Sequence, residues 1–270
     1  MAEFILSIGS NTGSRIENIK KAIEGLKKTE SVKKISPFYI TFPMYYTNQP
    51  YFINCACIIE TKKDPFSLLG KLKKLEKDIG RTKTFKNGPR EIDIDIVYCE
   101  NIIINTETLK IPHPERLKRI FVLKPLSDIA PDFIDPQNGK KIKDLVKKIS
   151  KDFILKVPET YDEALNFLIS VRPREKNDFK TSYIKDALKN LGNPQKRIGK
   201  IIHITGSVGK TSIAHYISKI LIKNGKKVAL YTSPHIEDLR ERIIYNNRMI
   251  SKKDFLENLL KGMSRVLCIY

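Results

Sequence analysis

The chain has 270 residues, of which 41% are hydrophobic and 30% are charged, a composition typical of folded proteins. Four cysteines are too few for a disulfide framework, and no apolar run approaches the length of a membrane span, about 18 residues. The formal net charge is +20, but its lysines spread along the whole chain, so we expect a solvated basic surface rather than a nucleic-acid interface. The amino terminus lacks a signal-peptide pattern, which predicts a cytoplasmic location.

The first predicted elements are a strand, a helix and two strands. Phe4–Ile8 is an apolar run that stops at a Gly-Ser-Asn turn, and Ser14 is the expected cap of an amphipathic helix. Ile35–Tyr39 and Tyr51–Glu60 then have the composition of strands. The loop between them, Thr41–Pro50, contains two prolines.

A second helix and a further strand complete the first half of the chain. Asp64 and Pro65 mark the start of a helix that is expected to end at Gly80. Ile92–Tyr98 alternates strictly between apolar and other residues, which indicates a strand. The order strand, helix, strand, strand, helix, strand predicts an α+β fold, a ferredoxin-like sheet with helices on one face.

The sequence of the second half predicts an incomplete α/β unit with a phosphate-binding loop (P-loop). Prolines and a glycine at 135–160 suggest a boundary, so we expect domains at 1–150 and 151–270. Ile201–Thr205 has the composition of a buried strand, a helix is expected up to Asn224, and Val228–Tyr231 is the next strand. Such a strand-helix-strand unit starts a parallel sheet.

Asp93 and Asp95 are the candidate metal ligands. Residues two apart on a strand share a face, so these like-charged carboxylates repel each other unless a cation lies between them. Hard oxygen ligands at this spacing suit Mg²⁺ that carries a polyphosphate. An isolated Asp-x-Asp is more often the solvated side of a strand, but Arg90 and His113 nearby in the sequence favour phosphoryl-type transfer.

These residues and several short motifs resemble the 6-hydroxymethyl-7,8-dihydropterin pyrophosphokinase family over residues 3 to about 150. The motifs occur in the family's order and spacing. They are Gly9-Ser-Asn11, Phe38-Tyr39-x-Thr41, Asn48-Gln-Pro50, Gly80-Arg81, Gly88-Pro-Arg90-x-Ile-Asp93-x-Asp95 and Pro112-His113. The resemblance implies transfer of a pyrophosphoryl group from MgATP to the hydroxymethyl oxygen of the pterin, with release of AMP.

The resemblance also implies roles for individual side chains. Asp93 and Asp95 would hold Mg²⁺, and Arg81 and Arg90 would contact the transferring phosphates. The residues expected at the ATP site are Glu76, Lys83, His113 and Arg119. The residues expected around the pterin are Thr41, Phe42, Phe52, Asn54 and Phe121.

The second half has its own phosphate-binding candidate, Gly206-Ser-Val-Gly209-Lys210-Thr211-Ser212. Backbone N–H groups at the start of a helix bind phosphate, Lys210 would reach the phosphates, and Thr211 or Ser212 would contact Mg²⁺. From about 153 to 265 the chain resembles the opening of the folylpolyglutamate and dihydrofolate synthases of the Mur ligase superfamily. This resemblance rests on Tyr161-Asp-Glu-Ala-Leu, Leu191-Gly-Asn-Pro194, Ser233-Pro-His235 and Arg240-Glu-Arg242-Ile. Because the sequence ends at Tyr270, we expect no glutamate ligation, and a partner chain is one possible source of the missing part.

Other classes of function stay open at this point. A basic nucleic-acid-binding protein would use the lysine-rich surface, and a scaffold would retain both nucleotide sites only as remnants. Cys55 and Cys57 share a strand face, but two cysteines in an apolar strand are better explained as core than as zinc ligands. Release of AMP from ATP in the presence of the pterin separates these alternatives from the enzyme.

Overall fold

The computed structural model describes residues 1–82, 85, 87–149, 154–170 and 181–266. This part of the chain divides into two compact units, Met1–Val157 and Pro158–Val266. The last strand of the first unit, Ile154–Lys156, lies beyond the predicted boundary at residue 150. The assignment of one function to each unit stays a prediction.

The first unit is built on an antiparallel sheet with β4 at its centre. Its strands, in chain order, are β1 (Ala2–Ser10), β2 (Ser31–Ile35), β3 (Tyr39–Thr41), β4 (Phe52–Thr61), β5 (Asp93–Cys99), β6 (Ile104–Asn105), β7 (Lys110–Ile111) and β8 (Ile154–Lys156). The order in space is β5-β1-β4-β3-β8, β2 also pairs with β4, and β6 pairs with β7 in a separate hairpin. The predicted ferredoxin-like arrangement is therefore present, with β4 inserted between β1 and the β2–β3 segment.

The predicted strand Ile35–Tyr39 is divided into β2 and β3. Pro37 has no backbone N–H to donate to the sheet. The neighbouring Ser36 pairs with Ala56 instead, because its backbone N–H donates to the carbonyl oxygen of Ala56 and its hydroxyl accepts from the Ala56 N–H, both at 2.9 Å. The sequence pattern predicted one continuous strand, whereas the structure has two strands separated at the proline.

Two helices cover one face of the sheet, α1 (Arg15–Lys27) and α2 (Pro65–Ile79). Asp64 caps α2 as predicted, since its carboxylate accepts from the backbone N–H groups of residues 66 and 67, and Gly80 ends the helix at φ 112°. Ser14 precedes α1, but its side chain makes no capping hydrogen bond. The two helices pack closely at Gly25 of α1, which faces Leu75 of α2. A Cβ atom at position 25 would lie only 2.5 Å from the Leu75 side chain.

The two predicted helices share one face of the sheet, but the prediction missed the helices on the other face. Two further helices, α3 (Ile120–Ile129) and α4 (Ile142–Val146), cover the opposite face. They pack on Ile5, Ala56 and Ile58, whose side chains point away from α1 and α2. Strands that are apolar on both faces need cover on both, and α3 covers only part of this face. The end of the face near Gly9 and Asn54 stays open as a cavity.

A buried ion pair fixes the segment that leads into α3. Arg116 and Asp135 are 3% and 0% exposed, with Nε and Oδ2 at 2.6 Å, and Tyr98 donates to the same carboxylate at 2.8 Å. Arg116 also donates to the carbonyl oxygen of His113 at 3.2 Å. A buried charge pair with all of these hydrogen bonds holds its loop in one conformation.

The second unit consists of helices and a small antiparallel sheet. Its helices are α5 (Tyr161–Ser170), α6 (Thr181–Asn190), α7 (Lys210–Lys223) and α8 (Lys252–Val266), and its strands are β9 (Ala229–Tyr231), β10 (Ile243–Tyr245) and β11 (Arg248–Met249). The chain also has single 3-10 turns at Arg116–Lys118, Pro194–Arg197 and Leu239–Arg242. None of the helices in the described residues is long and apolar enough to span a membrane.

The predicted parallel sheet of the second unit is wrong. Ile201–Thr205 forms no strand, and Ile201 and Ile202 are 74% and 57% exposed. The predicted strand at Val228–Tyr231 is present as β9, but it pairs antiparallel with β10. Asn246 and Asn247 both have positive φ, the geometry of a tight hairpin turn, so β10 and β11 pair locally and β9 joins their edge.

The buried Glu30 generates a prediction about acid stability. Burial by itself raises the pKa of this carboxyl, but hydrogen bonds from Lys71 and Lys63 outweigh burial and lower the pKa from 4.5 to about 2. A lowered pKa stabilises the fold above pH 4.5, and this stabilisation is lost as the pH falls to about 2. We expect Glu30→Gln to lower the free energy of unfolding at pH 7 by about 1–3 kcal/mol and to show a smaller difference from wild type at pH 2, measured by urea unfolding.

The exposed Glu17 provides the control for this measurement. Its pair with Lys20 is at the surface, where ion pairs contribute little, so Glu17→Gln should leave the unfolding free energy nearly unchanged. A Glu30→Gln deficit that stays constant from pH 7 to pH 2 would contradict the prediction.

Candidate active site

The open end of the sheet face forms a cavity of about 620 Å³, counting space open to solvent. Strands β1, β4 and β5 form its floor, and the loop Thr41–Pro50 and the start of α3 form its walls. The lining residues are Ser7, Gly9, Thr41, Phe42, Pro43, Met44, Tyr45, Gln49, Phe52, Asn54, Asn87, Arg90, Asp93, Asp95, Arg119 and Phe121. The cavity therefore contains the two aspartates and all five predicted pterin-site residues.

Strand register places the two aspartates on the cavity floor. Asp93 lies opposite Gly9, and Asp95 lies opposite Ser7. Gly9 in turn lies opposite Asn54 on β4. Partners across an antiparallel sheet share a face, so the carboxylates and the Asn54 amide line one surface, as the strand alternation predicted.

Asp93 is held by two arginines. Arg81 Nη1 lies 2.7 Å from Oδ1 and Arg90 Nη1 lies 2.7 Å from Oδ2. Arg81 also donates to the buried Glu76, whose carboxylate accepts from the Ile94 N–H at 2.7 Å. Burial by itself raises the pKa of Asp93, but the charges of Arg90 and Arg81 outweigh it, so the pKa is lowered.

Asp95 has a different electrostatic environment. Among the described residues, the nearest cation is Arg119, whose Nη1 lies 3.9 Å from Oδ2. Burial and the neighbouring charge of Asp93 raise the pKa of Asp95 to about 6. A carboxylate with a raised pKa beside a second carboxylate gains from a nearby cation, which removes both the repulsion and the desolvation cost.

Asn54 occupies the polar end of the cavity. Its side chain is 3% exposed, and Nδ2 donates to the Thr41 hydroxyl at 2.8 Å. Gly9 makes room for this amide, because a Cβ there would lie 2.6 Å from Asn54 Oδ1. Phe52 and Phe121 supply flat apolar walls, and each lies under a guanidinium.

The arginine–aromatic contacts connect these walls to the charged floor. Arg90 Cζ lies 5.8 Å from the ring centre of Phe52, and Arg119 Cζ lies 5.6 Å from that of Phe121. Cation–π contacts of this kind orient a guanidinium without using its N–H donors. Arg90 uses Nη1 for Asp93 and Nε for the Gly88 carbonyl oxygen, whereas the buried Nε of Arg119 has no partner among the described residues.

The predicted ATP-site residues are only partly brought to the cavity. Arg119 lines it, whereas Glu76 and Arg81 lie behind Asp93. Burial and the charge of Arg119 lower the pKa of His113 to about 4, so this imidazole is neutral at pH 7. Its Nδ1 accepts from the Glu115 N–H at 3.2 Å, which leaves the proton on Nε2. Lys83 lies outside the described residues.

Two polar side chains near Arg90 had no predicted role. Asn11 Oδ1 accepts from the backbone N–H of Arg90 at 2.8 Å, and Asn11 Nδ2 donates to Gln49 Oε1 at 3.0 Å. Gln49 Nε2 donates to the carbonyl oxygens of Tyr46 and Asn87, at 2.7 and 3.0 Å. The pair thus connects three loops around the cavity. Both residues lie in motifs that carry the family resemblance, and this membership was the sequence signal that could have indicated their role.

The second phosphate-binding candidate has part of the expected geometry. Gly206 and Gly209 have φ of 153° and 76°, and α7 begins at Lys210. Lys210 Nζ donates to the carbonyl oxygens of Gly206 and Ser207, the latter at 3.2 Å. Thr211 and Ser212 are exposed in the helix's first turn. The local loop and helix are present, but the strand before them is not.

Comparisons with known proteins match the first unit to one family. Residues 5–131 match the family model described as 7,8-dihydro-6-hydroxymethylpterin-pyrophosphokinase (HPPK). A 2-amino-4-hydroxy-6-hydroxymethyldihydropteridine pyrophosphokinase from Aquifex aeolicus is 44% identical over 144 residues, which cover 53% of this chain and 90% of that protein. The chain belongs to the HPPK family. The Bacillus subtilis pyrophosphokinase is 38% identical over 127 residues, which cover 46% of this chain and 76% of that protein.

Longer proteins also contain the same segment. The folic acid synthesis protein FOL1 of Dictyostelium discoideum is 48% identical over 131 residues, which are 48% of this chain and 20% of FOL1. The chain therefore spans about a fifth of that relative's length. The match to the HPPK family model ends at residue 131, so it does not reach the second unit.

The unequal environments of the two aspartates predict opposite effects on stability. The raised pKa of Asp95 means that its ionised form costs stability above about pH 6 and that the cost disappears below about pH 3.8. In EDTA we expect Asp95→Asn to raise the unfolding free energy at pH 8 by about 1–3 kcal/mol, after allowance for its partial exposure, and to leave it unchanged near pH 3.5. Urea unfolding at both pH values measures the difference.

Asp93→Asn is the matched comparison. It leaves Arg81 and Arg90 without their shared carboxylate, so we expect a loss of about 1–3 kcal/mol at pH 8. Equal destabilisation by both substitutions would show that the two carboxylates do not differ as described.

Proposed function

We propose that the first unit transfers the terminal pyrophosphoryl group of ATP to the hydroxymethyl oxygen of 6-hydroxymethyl-7,8-dihydropterin. The observation that carries the proposal is the juxtaposition, in one cavity, of Asp93 and Asp95 with Arg90, the Asn54 amide and the Phe121 ring. The membership in the HPPK family supports the same reaction. The hydroxymethyl oxygen gives its proton to water and forms a bond to the β-phosphorus, the bond from that phosphorus to the oxygen bridging to the α-phosphorus breaks, and AMP leaves.

The polar and aromatic walls suit a pterin. A pterin is flat and has a fixed pattern of donors and acceptors along its amide edge. Asn54 is fixed by Thr41 and offers a complementary amide, with Phe52 and Phe121 beside it. We expect backbone groups at Thr41 and Phe42 to complete the edge, with the hydroxymethyl group directed towards Asp95.

The donor set on β5 fits Mg²⁺. Magnesium in phosphate-transfer sites is bound by one or two carboxylates, with phosphate oxygens and water as the other ligands. Among the described residues, no group of three or more acidic, histidine or cysteine side chains is suited to hold a metal ion. A site in which two carboxylates share the metal with a nucleotide needs no such group. Asp93 and Asp95 would hold the ion, which when bound neutralises charge on the transferring phosphates.

The arginines supply the remaining positive charge. Arg90 lines the cavity and is fixed in place by Asp93, so it is positioned in advance for a polyphosphate. Arg81 is held behind Asp93 by that carboxylate and Glu76, and these contacts would have to rearrange before it meets a phosphate. We assign Arg119 and His113 to the nucleotide phosphates, with the neutral His113 donating through Nε2. Glu76 would act indirectly, by orienting Arg81, and Lys83 stays a predicted ATP-site residue.

For the second unit we propose a phosphate-binding loop at residues 206–212. Two glycines with positive φ and Lys210 at the start of α7 support it. A resemblance to the folate synthases remains part of this proposal. A partner chain that pairs with residues 201–205 would cover the exposed Ile201 and Ile202.

Release of AMP tests the proposed function directly. The purified chain with ATP, Mg²⁺ and 6-hydroxymethyl-7,8-dihydropterin should release AMP, and Asp95→Ala should lower kcat at least about 100-fold because a metal ligand is lost. A fragment of residues 1–157 should retain activity, since it contains the whole sheet. No AMP above a pterin-free control would exclude the proposal, and activity that survives Asp95→Ala would exclude the metal assignment.

Gly9→Ala tests the pterin orientation. The added methyl group would lie 2.6 Å from Asn54 Oδ1 and must displace the amide, so we expect KM for the pterin to rise at least about tenfold, as when a substrate hydrogen bond is lost. KM for ATP should change little. The control is Gly70→Ala, where a Cβ meets nothing within 4 Å. An unchanged pterin KM in Gly9→Ala would contradict the role of Asn54.

A further inference from the structure

Tyr45 connects the two sides of the proposed active site. It lies on the loop Thr41–Pro50, which forms the pterin side of the cavity. Its hydroxyl donates to Glu115 Oε2 at 3.1 Å, on the segment that carries Arg119 on the nucleotide side. The two residues are 70 positions apart in sequence. The hydrogen bond therefore joins two separate loops.

The ring of Tyr45 also contacts Arg119. The guanidinium carbon lies 6.0 Å from the ring centre of Tyr45 and 5.6 Å from that of Phe121. Two aromatic rings thus restrict the Arg119 side chain. Its Nη1 lies 3.9 Å from Asp95 Oδ2. Aromatic contacts fix a guanidinium's position but leave its N–H groups for a ligand.

Arg119 has an unused donor. Its Nε is buried and has no hydrogen-bond partner in the part of the chain that the structure describes. A buried donor without a partner costs stability, and an anion placed at the cavity would satisfy it. The position of Arg119, and so of this donor, depends on Tyr45.

Glu115 fixes Tyr45 from the other side. The hydrogen bond from Tyr45 lowers the pKa of Glu115, so this carboxylate is ionised at neutral pH. The backbone N–H of Glu115 donates to His113 Nδ1 at 3.2 Å. Glu115 thus contacts both Tyr45 and the imidazole assigned to the nucleotide.

We propose that Tyr45 is a positioning residue that couples the two substrate sites through Glu115 and Arg119. A pterin bound against the loop Thr41–Pro50 would favour the loop position in which Tyr45 contacts Arg119, so the cost of ordering Arg119 is reduced when the nucleotide binds. By linkage, a bound nucleotide favours the same loop position and strengthens pterin binding by the same factor. The coupling rests on the proposed function, because it concerns the two ligands of that site.

Substitutions of Tyr45 test the coupling. The affinity for a nonhydrolysable ATP analogue with Mg²⁺ is measured by calorimetry, with and without 6-hydroxymethylpterin. In the wild-type chain we expect the pterin to tighten nucleotide binding. In Tyr45→Phe, which keeps the ring and loses the hydrogen bond to Glu115, this tightening factor should fall about three- to tenfold. In Tyr45→Leu, nucleotide affinity should also fall in the absence of pterin, since the contact with Arg119 is lost.

Tyr46→Phe is the matched control. Tyr46 is the next residue on the same loop, its ring contacts Phe85, and among the described residues its hydroxyl has no hydrogen-bond partner. It should keep the wild-type coupling. Glu115→Gln keeps an acceptor and should retain more of the coupling than Glu115→Ala, a difference that a general loss of loop structure would not produce.

The outcomes separate this proposal from the proposed function. A wild-type chain that releases no AMP and binds no pterin would exclude the proposed function itself. A wild-type chain that is active, with full coupling in Tyr45→Phe or with independent binding of the two ligands, would exclude the role of Tyr45 alone. Steady-state kinetics give a second readout, since loss of coupling should raise the KM of each substrate at low concentrations of the other with kcat less affected.

Discussion

Two carboxylates on one face of β5 impose the main constraint on the site. Asp93 and Asp95 lie at alternate positions of a rigid strand, so neither can move away from the other's charge. The structure relieves the repulsion unequally, because Arg81 and Arg90 hold Asp93 while Asp95 retains a pKa of about 6. The fold thus keeps one carboxylate at a cost in stability that a bound cation would remove, a common trade between activity and stability.

The layered architecture explains why this pair is accessible. Apolar side chains on both faces of β1, β4 and β5 require cover on both faces, and α3 and α4 provide it on the second face. Because α3 begins at Ile120, the end of the strands near Gly9 stays uncovered. The same short helix places Arg119 at its start, with the buried Arg116–Asp135 pair fixing the segment before it. The cavity and its cations therefore follow from one packing arrangement.

The second unit shows how far a local motif determines structure. Gly206 and Gly209 have positive φ and α7 begins at Lys210, so the local turn and helix that the sequence predicts are present. Formation of a strand at 201–205 also needs a hydrogen-bonded neighbour, and β9 pairs with β10 instead. A helix makes its own hydrogen bonds, whereas a strand depends on a partner.

The sequence alone determined the features that depend on short-range periodicity. Alternation along β5 predicted that Asp93 and Asp95 share a face, and Asp64 and Gly80 predicted the ends of α2, because these contacts involve residues a few positions apart. The cover of the second face by α3, the Asn11–Gln49 link across 38 positions and the Tyr45–Glu115 link across 70 were decided only by the tertiary structure. The physical reason is that such contacts depend on how separate elements pack in space, and no local pattern of residues encodes that arrangement.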